Sequence, residues 1–376
     1  MRILYGLLCL FFLVLFHEWG HFLAAKLFGV TVESFSIGFG PVLLHRRRGK
    51  TDYRLSLIPL GGYCGMKGQK DFERSLEAGL DHIEAEPDSL YGVAPCRRMA
   101  IAFAGPLFNF FFAFLAFSAI SMIGYTYYSY SNRIILADEV HPDMHSAARD
   151  AGLQSGDEII QINRTEIRNF SDILAEITSR PDETVSITVL RDGGQLEFSA
   201  RTDLDRETGA GRLGIMAADT SGMQEYEAER RSFFPALWQG LKDAGMAAVL
   251  TVKGIATLFK GVNLQESVSG PARIIDMMGT VVTESFSEGA RAGFVNMLNI
   301  LAYISISLCV MNLLPVPILD GGLILFAAIE WLTRKKMPPK LLYYIQFVGL
   351  ALIAVLFAIG FSGDIAYFAK HIRGTK

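Results

Sequence analysis

The sequence predicts a polytopic α-helical membrane protein with about four transmembrane helices, a membrane-associated β element and one inserted extracytoplasmic α/β domain. Three observations carry this expectation. Of the 376 residues, 51% are hydrophobic and only 19% are charged, too oily a balance for an ordinary soluble enzyme. The charges fall in blocks, separated by charge-free runs that reach the ~20 residues a helix needs to cross a hydrocarbon core. One block, residues 125–230, instead has a soluble composition, with ten Arg, no Lys and twenty Asp and Glu. A formal net charge of -3 leaves no excess of cations to neutralise a phosphate backbone, so no nucleic acid partner is expected.

The first apolar run, residues 3–16, stops at His17 and Glu18. It is as short as a signal-peptide core, but apolar character resumes through Trp19, Phe22, Leu23 and Leu27 without a small-x-small cleavage site, so a retained span is expected. Residues 55–67, rich in Gly and apolar side chains, read as a hairpin or loop dipping into the membrane. Residues 99–132 carry no charge and give the second span, centred on 108–123.

Within the soluble block, 147–152 reads as a short helix ending at Gly152, followed by a Gly-Asp turn into a strand over 158–163. A second helix over 171–178 is capped by Asn169 or Ser171. Val185, Ile187 and Val189 alternate along a strand, and Asp192-Gly193-Gly194 turns it into the next over 195–200. This pattern resembles a PDZ domain of the permuted bacterial type, which binds an extended peptide at a sheet edge. Arg212-Leu213-Gly214-Ile215 reads either as its carboxylate-binding loop or as an ordinary strand start.

Residues 233–260 have helical apolar spacing, but the stretch between Asp243 and Lys253 is only nine residues, so an interfacial amphipathic helix is expected. The third span, 292–319, carries Asn296, Asn299 and Asn312 and breaks at Pro315 and Pro317. Broken, polar helix at membrane depth is tolerated only beside protein or water. The fourth span covers 341–361, and all four cysteines read as packing residues. The expected organisation is a membrane core over 1–124, the PDZ-like domain over 131–217, a linker with the interfacial helix over 218–292, and the rest of the membrane core over 293–376. Ten Lys and Arg over 29–98 and the cluster Arg334, Lys335, Lys336 and Lys340 predict both loops to be cytoplasmic. Both termini and the PDZ-like domain then face the other side.

The chemistry lies in His17-Glu18-Trp19-Gly20-His21. Four residues apart on a helix, two histidines share one face about 6 Å along the axis, where both imidazoles reach one Zn²⁺. Glu18 stands beside them as the general base for water. Chance yields His-acid-x-x-His about 0.01 times in such a chain, and three titratable groups in an apolar helix are costly without a compensating interaction. A catalytic zinc takes a third protein ligand and leaves one position open. His45 and His82 fall in the basic loop, and His141, His145 and His371 on the opposite side; Asp320, after the broken stretch of span three, lies at the expected depth. Its alternative is a helix cap before Gly321-Gly322.

These motifs, with Phe28-Gly29-Val30, Phe35-Ser36-Ile37-Gly38-Phe39-Gly40-Pro41, Gly105-Pro106-x-x-Asn109, Ser269-Gly270-Pro271 and Asn312-Leu313-Leu314-Pro315-x-Pro317-x-Leu319-Asp320-Gly321, run along nearly the whole chain. In this the sequence resembles the site-2 protease family of intramembrane zinc metalloproteases, in particular its bacterial branch of regulator of sigma-E protease type. The resemblance implies His17, His21 and Asp320 as zinc ligands, Glu18 as general base, and a bacterial inner-membrane location with the site towards the cytoplasm. It also implies that 55–67 forms a β element whose edge, at Gly61, Gly62 and Tyr63, holds the substrate extended, since a helical peptide bond must unwind before hydrolysis. Asn312 reads either as a clamp on the unwound strand or as a polar bridge at the helix break. Gly105, Pro106 and Asn109 read as packing and helix-start residues.

The expected function is intramembrane hydrolysis of single-span membrane proteins such as anti-sigma factors or remnant signal peptides, with the lipid bilayer and a peptide ligand of the PDZ-like domain as further partners. The alternative is a catalytically silent scaffold binding extended peptides, which has no need of all four of His17, Glu18, His21 and Asp320.

Overall fold

The computed structural model describes residues 1–219, 222–264 and 269–374, and the chain divides into two compact units. One comprises Met1–Ile123, Arg231–Ala248 and Ser269–Lys376; the other comprises Gly124–Arg230 and Val249–Val268.

Among the described residues, four helices of the first unit are long and apolar enough to cross a membrane: span one (Arg2–Leu27), span two (Pro95–Ile123), span three (Ala290–Asn312) and span four (Pro339–Ala369). Without a hydrophobic force between helices in lipid, close approach depends on small residues. A Cβ on Gly20 of span one would strike the Ala104 carbonyl of span two. A Cβ on Gly6 or Gly279 would do the same between span one and the Pro271–Glu288 helix. Ala113, Ala116, Phe117 and Ile120 of span two pack with Ala302 and Ile306 of span three, and with Ala244 and Ala247 of the Phe233–Thr257 helix. That helix is not among the four of spanning composition. Span four keeps Phe347, Val348, Val355 and Phe357 outward, the surface a lipid-facing helix requires. Its buried Asp364 accepts the backbone N–H groups of Gly270 and Ala272, both at 2.9 Å, and so sits at the positive N-terminus of the Pro271–Glu288 helix.

Residues 55–67 do not form a separate element. Residues 55–66 belong to strand β2 (Thr51–Met66), paired antiparallel with β1 (Val32–Arg48), and Lys67 lies in the turn that follows. β2 passes β1 twice: Ser34 lies opposite both Asp52 and Gly65, and Ile37 opposite both Leu55 and Gly62. The first half of β1 is thus the middle of a small three-stranded ribbon, and residues 62–66 form one edge. The register shifts repeatedly around Gly38 and Phe39, and such bulges bend a strand back on itself.

Span three stops at Asn312, and a separate helix, Asp320–Thr333, follows the Pro315 and Pro317 turn. Asp320 is the first residue of that helix rather than its cap, which is Leu319. Span two starts at Pro95, so Gly105, Pro106 and Asn109 lie well inside it and are not helix-start residues. Cys96 is exposed in its first turn and is not a packing residue, whereas Cys309 is buried.

The second unit is built on an antiparallel four-stranded sheet in the order Thr165–Glu166, Glu158–Ile162, Thr184–Arg191, Gly194–Arg201. Ile159, Ile162, Val185, Ile187 and Val189 are buried together with Ile173 and Ile177 of the Phe170–Thr178 helix. The Asn169 side chain caps that helix by accepting from the Asp172 N–H. Asp192 and Gly193, at φ 50° and 80°, make the tight turn between the long strands.

Candidate metal centre

Spans one and two run antiparallel, with one four-residue row facing another. His21 and His17 occupy the row on span one, and Ile101, Gly105 and Asn109 the row on span two. His21 Nδ1–H donates to the Ile101 carbonyl at 2.9 Å. Asn109 Nδ2 lies 3.1 Å from His17 Nδ1. Between them, a Cβ on Gly105 would collide with both imidazole rings; only glycine leaves the space that the Nε2 atoms share. Pro106 offers no N–H to the Ala102 carbonyl and its ring presses on the preceding turn, the turn that carries Ile101.

The third donor comes from a distant part of the chain. Ile318, a β-branched residue at φ 94°, sits in a left-handed conformation just before the Asp320 helix, a strained position of the kind that needs surrounding structure to hold it. Gly321 and Gly322 fit only without side chains, because the carbonyls of Leu313, Leu314 and Val316 fold over them. This tight turn directs Asp320 to the histidines: Oδ2 lies 3.2 Å from His17 Nε2 and Oδ1 3.3 Å from His21 Nε2. The two Nε2 atoms are 3.2 Å apart, and the three donor groups lie within 4.8 Å of one another, with both histidines buried. Two imidazole nitrogens and one carboxylate converging on a buried point suit Zn²⁺, which takes N and O donors tetrahedrally and, with three protein ligands, keeps one position open. The donor chemistry and the space opposite Gly105 both fit the ion.

Glu18 lies on the neighbouring face of span one. Its Oε2 accepts the backbone N–H of Cys64 at 2.9 Å, so the carboxylate is tied to the edge strand of the ribbon. A Cβ on Gly62 would press on the Ser36 carbonyl and come within 3.8 Å of Glu18 Cγ. Tyr63 pairs opposite Ser36, stacks on Phe39 and accepts a hydrogen bond from Arg54 at 3.2 Å. Gly61, at φ 123°, makes the bend leading into this edge. Burial pushes the Cys64 thiol up to about 12, which keeps it a protonated packing group.

The structure therefore brings together His17, His21 and Asp320, and separately Glu18 with Gly62 and the Cys64 backbone. Asn312 ends span three, eight residues before Asp320, and among the described residues no hydrogen bond of its side chain ties it to either cluster. Gly105 and Asn109 are the site residues that sequence reasoning missed. The available signal was a glycine and an amide four apart inside an otherwise apolar span, where a polar group is as costly as the histidines.

The arrangement defines a class, a membrane-embedded metallohydrolase. Comparison with known proteins gives the particular family. The model of peptidase family M50 matches residues 5–356. A protein of Treponema pallidum is 35% identical, with 97% of this chain and 99% of the relative covered. One from Campylobacter jejuni is 34% identical, covering 94% and 90%, and one from Borreliella burgdorferi 30%, covering 97% and 98%. Each carries the description "Putative zinc metalloprotease". The chain belongs to peptidase family M50, the site-2 protease family, and is a membrane zinc metalloprotease with Zn²⁺ as its cofactor.

Proposed function

We propose that the protein is an intramembrane endopeptidase in which His17, His21 and Asp320 hold the zinc and Glu18 is the general base. The observation that carries this reading is the convergence of three donors within 4.8 Å beside a carboxylate anchored on a strand edge. Zinc, when bound, supplies Lewis-acid polarisation of the scissile carbonyl and a more acidic water. Glu18 takes the proton of the attacking water and passes it to the leaving nitrogen. The Cys64 N–H holds the Glu18 carboxylate in one orientation for both transfers.

The substrate adds as an extended strand along Gly61, Gly62 and Tyr63, which exposes the peptide bond that a helix shields by its own hydrogen bonds. Asn312 clamps the unwound segment at the break after span three. Substrates are single-span membrane proteins, including anti-sigma factors and remnant signal peptides. The basic loops put the metal site towards the cytoplasmic face of a bacterial inner membrane. The second unit serves as one PDZ-like module on the opposite face, offering a sheet edge to a peptide ligand. Alignment lengths support a single module: 445 positions with the Treponema relative, more than the 376 residues of this chain, but 363 with the Campylobacter one.

The test is cleavage of a panel of single-span substrates in proteoliposomes by wild type and Glu18→Gln. The substitution keeps shape and removes the base, so kcat/KM should fall about 10²- to 10⁴-fold with zinc content unchanged. Equal cleavage by both proteins excludes Glu18 as the base. Specific binding of substrate with no cleavage by wild type points to the scaffold alternative.

A further inference from the structure

We infer that Asn109 is a positioning residue that fixes His17 in the tautomer able to hold zinc through Nε2. The inference rests on the zinc-site reading above. In both histidines Nε2 is the atom that faces Asp320. A neutral imidazole presents a lone pair at Nε2 only when its proton sits on Nδ1. For His21 this is settled by the backbone, because the Ile101 carbonyl can only accept. For His17 the group at Nδ1 is the Asn109 side chain, whose amide has both an acceptor and a donor end.

The two ends have opposite consequences. With the NH₂ towards His17, the lone pair is forced onto Nδ1 and the proton onto Nε2, which then donates to Asp320 and cannot ligate. In that arrangement Asn109 Oδ1 is also buried without any partner, a costly state for a carbonyl oxygen. Half a turn of the amide, which leaves its shape unchanged, puts Oδ1 on His17 Nδ1–H. The oxygen gains a donor and Nε2 is freed for the metal. Asn109 is fully buried, so the hydrogen bond depends on its own side chain. Its backbone is held in turn, since Ser305 Oγ of span three donates to the Asn109 carbonyl at 2.9 Å.

An outer partner of this kind typically governs metal affinity by 10- to 100-fold. Full-length protein in detergent, titrated with zinc against a competing chelator, tests the assignment with three variants. Asn109→Leu keeps similar bulk and removes the acceptor; zinc affinity should fall by roughly 10- to 100-fold. Asn109→Asp keeps an acceptor and cannot present an NH₂; it should stay within about threefold of wild type, well short of that 10- to 100-fold loss. His17→Ala should lose more than either. Wild-type affinity in Asn109→Leu, or equal weakening in Leu and Asp, overturns the inference, the second because only shape then matters. Wild-type affinity in His17→Ala instead overturns the zinc-site reading itself. Should Asn109→Leu fail to fold, ¹⁵N-histidine spectra of the zinc-loaded wild type decide the same question. His17 should carry its proton on Nδ1 with Nε2 on the metal, and the reverse assignment contradicts the role given to Asn109.

Discussion

Two polar clusters are buried in the same apolar helices, and they differ in charge balance. Arg98 of span two pairs with Glu330 on the Asp320–Thr333 helix, and Glu330 Oε1 also accepts the Met337 N–H at 3.0 Å. His17 and His21 meet Asp320 on the same helix. The first cluster contains both signs and balances in charge, although Arg98 Nε is buried without a hydrogen-bond partner. The second brings two imidazole nitrogens to 3.2 Å, where two lone pairs repel, and its carboxylate faces imidazoles rather than a guanidinium. A cation completes the second and adds nothing to the first. Burial of charge in a membrane protein is therefore a weak guide to function, and the sign left over is a better one. Cavity size does not discriminate either: about 670 Å³ opens beside Arg98, Glu330 and Trp331, away from the histidines.

The comparison can be broken at several points. Arg98→Met strands Glu330 and should lower the denaturation midpoint in detergent by the equivalent of about 3–5 kcal/mol, with or without zinc, while Arg98→Met with Glu330→Leu recovers most of it. A double variant as weak as the single one would show that the pair is more than self-neutralising. Asp320→Asn should behave oppositely. Zinc at a thousand times its Kd stabilises a binding protein by about 4 kcal/mol, and this metal-dependent increment should vanish in the variant; a persistent increment removes Asp320 from the site. Gly105→Ala places a methyl against both imidazoles and should cost about 1–3 kcal/mol through overpacking, together with weaker zinc binding by chelator competition.

The smallest effect concerns the ribbon's polar base. The Lys67 ammonium, the Thr31 hydroxyl and Lys50 hold the Asp88 carboxyl well below the usual carboxylate range. Asp88 and Glu86 raise Lys67 above the ordinary amine range. The Asp88 contribution to stability is present above its unfolded pKa and lost as pH falls through the folded value. The Lys67 contribution is present below its unfolded pKa and lost as pH rises through the folded one. Hydrogen-exchange protection of the Thr31, Lys67 and Leu90 amides, which are bonded across this base, should thus be flat between about pH 5 and 9. A decline inside that window would rule out the ion cluster as the clasp.

What was legible in the sequence follows from what each feature is made of. His17, Glu18 and His21 announce themselves by spacing and by their cost in an apolar helix, and Asp320 by the broken helix before it. Three spans were readable from charge-free length alone, and the first from the apolar residues that resume after His17 and Glu18. The β1–β2 pairing was not, because bulges and glycines shift its register and erase the alternation that marks a strand. The grip on Glu18 was invisible for a different reason: the donor is the main-chain N–H of Cys64, which any residue but proline supplies. Gly105 and Asn109 looked like packing because their partners lie on another helix.

Zinc-edge X-ray absorption of the full-length protein, purified with its metal, tests the central claim most directly. The account predicts two imidazole nitrogens at about 2.0–2.1 Å and oxygens at about 2.0–2.2 Å, with no sulfur. A sulfur shell at about 2.3 Å, or a spectrum without imidazole scattering, would contradict a zinc held by His17, His21 and Asp320.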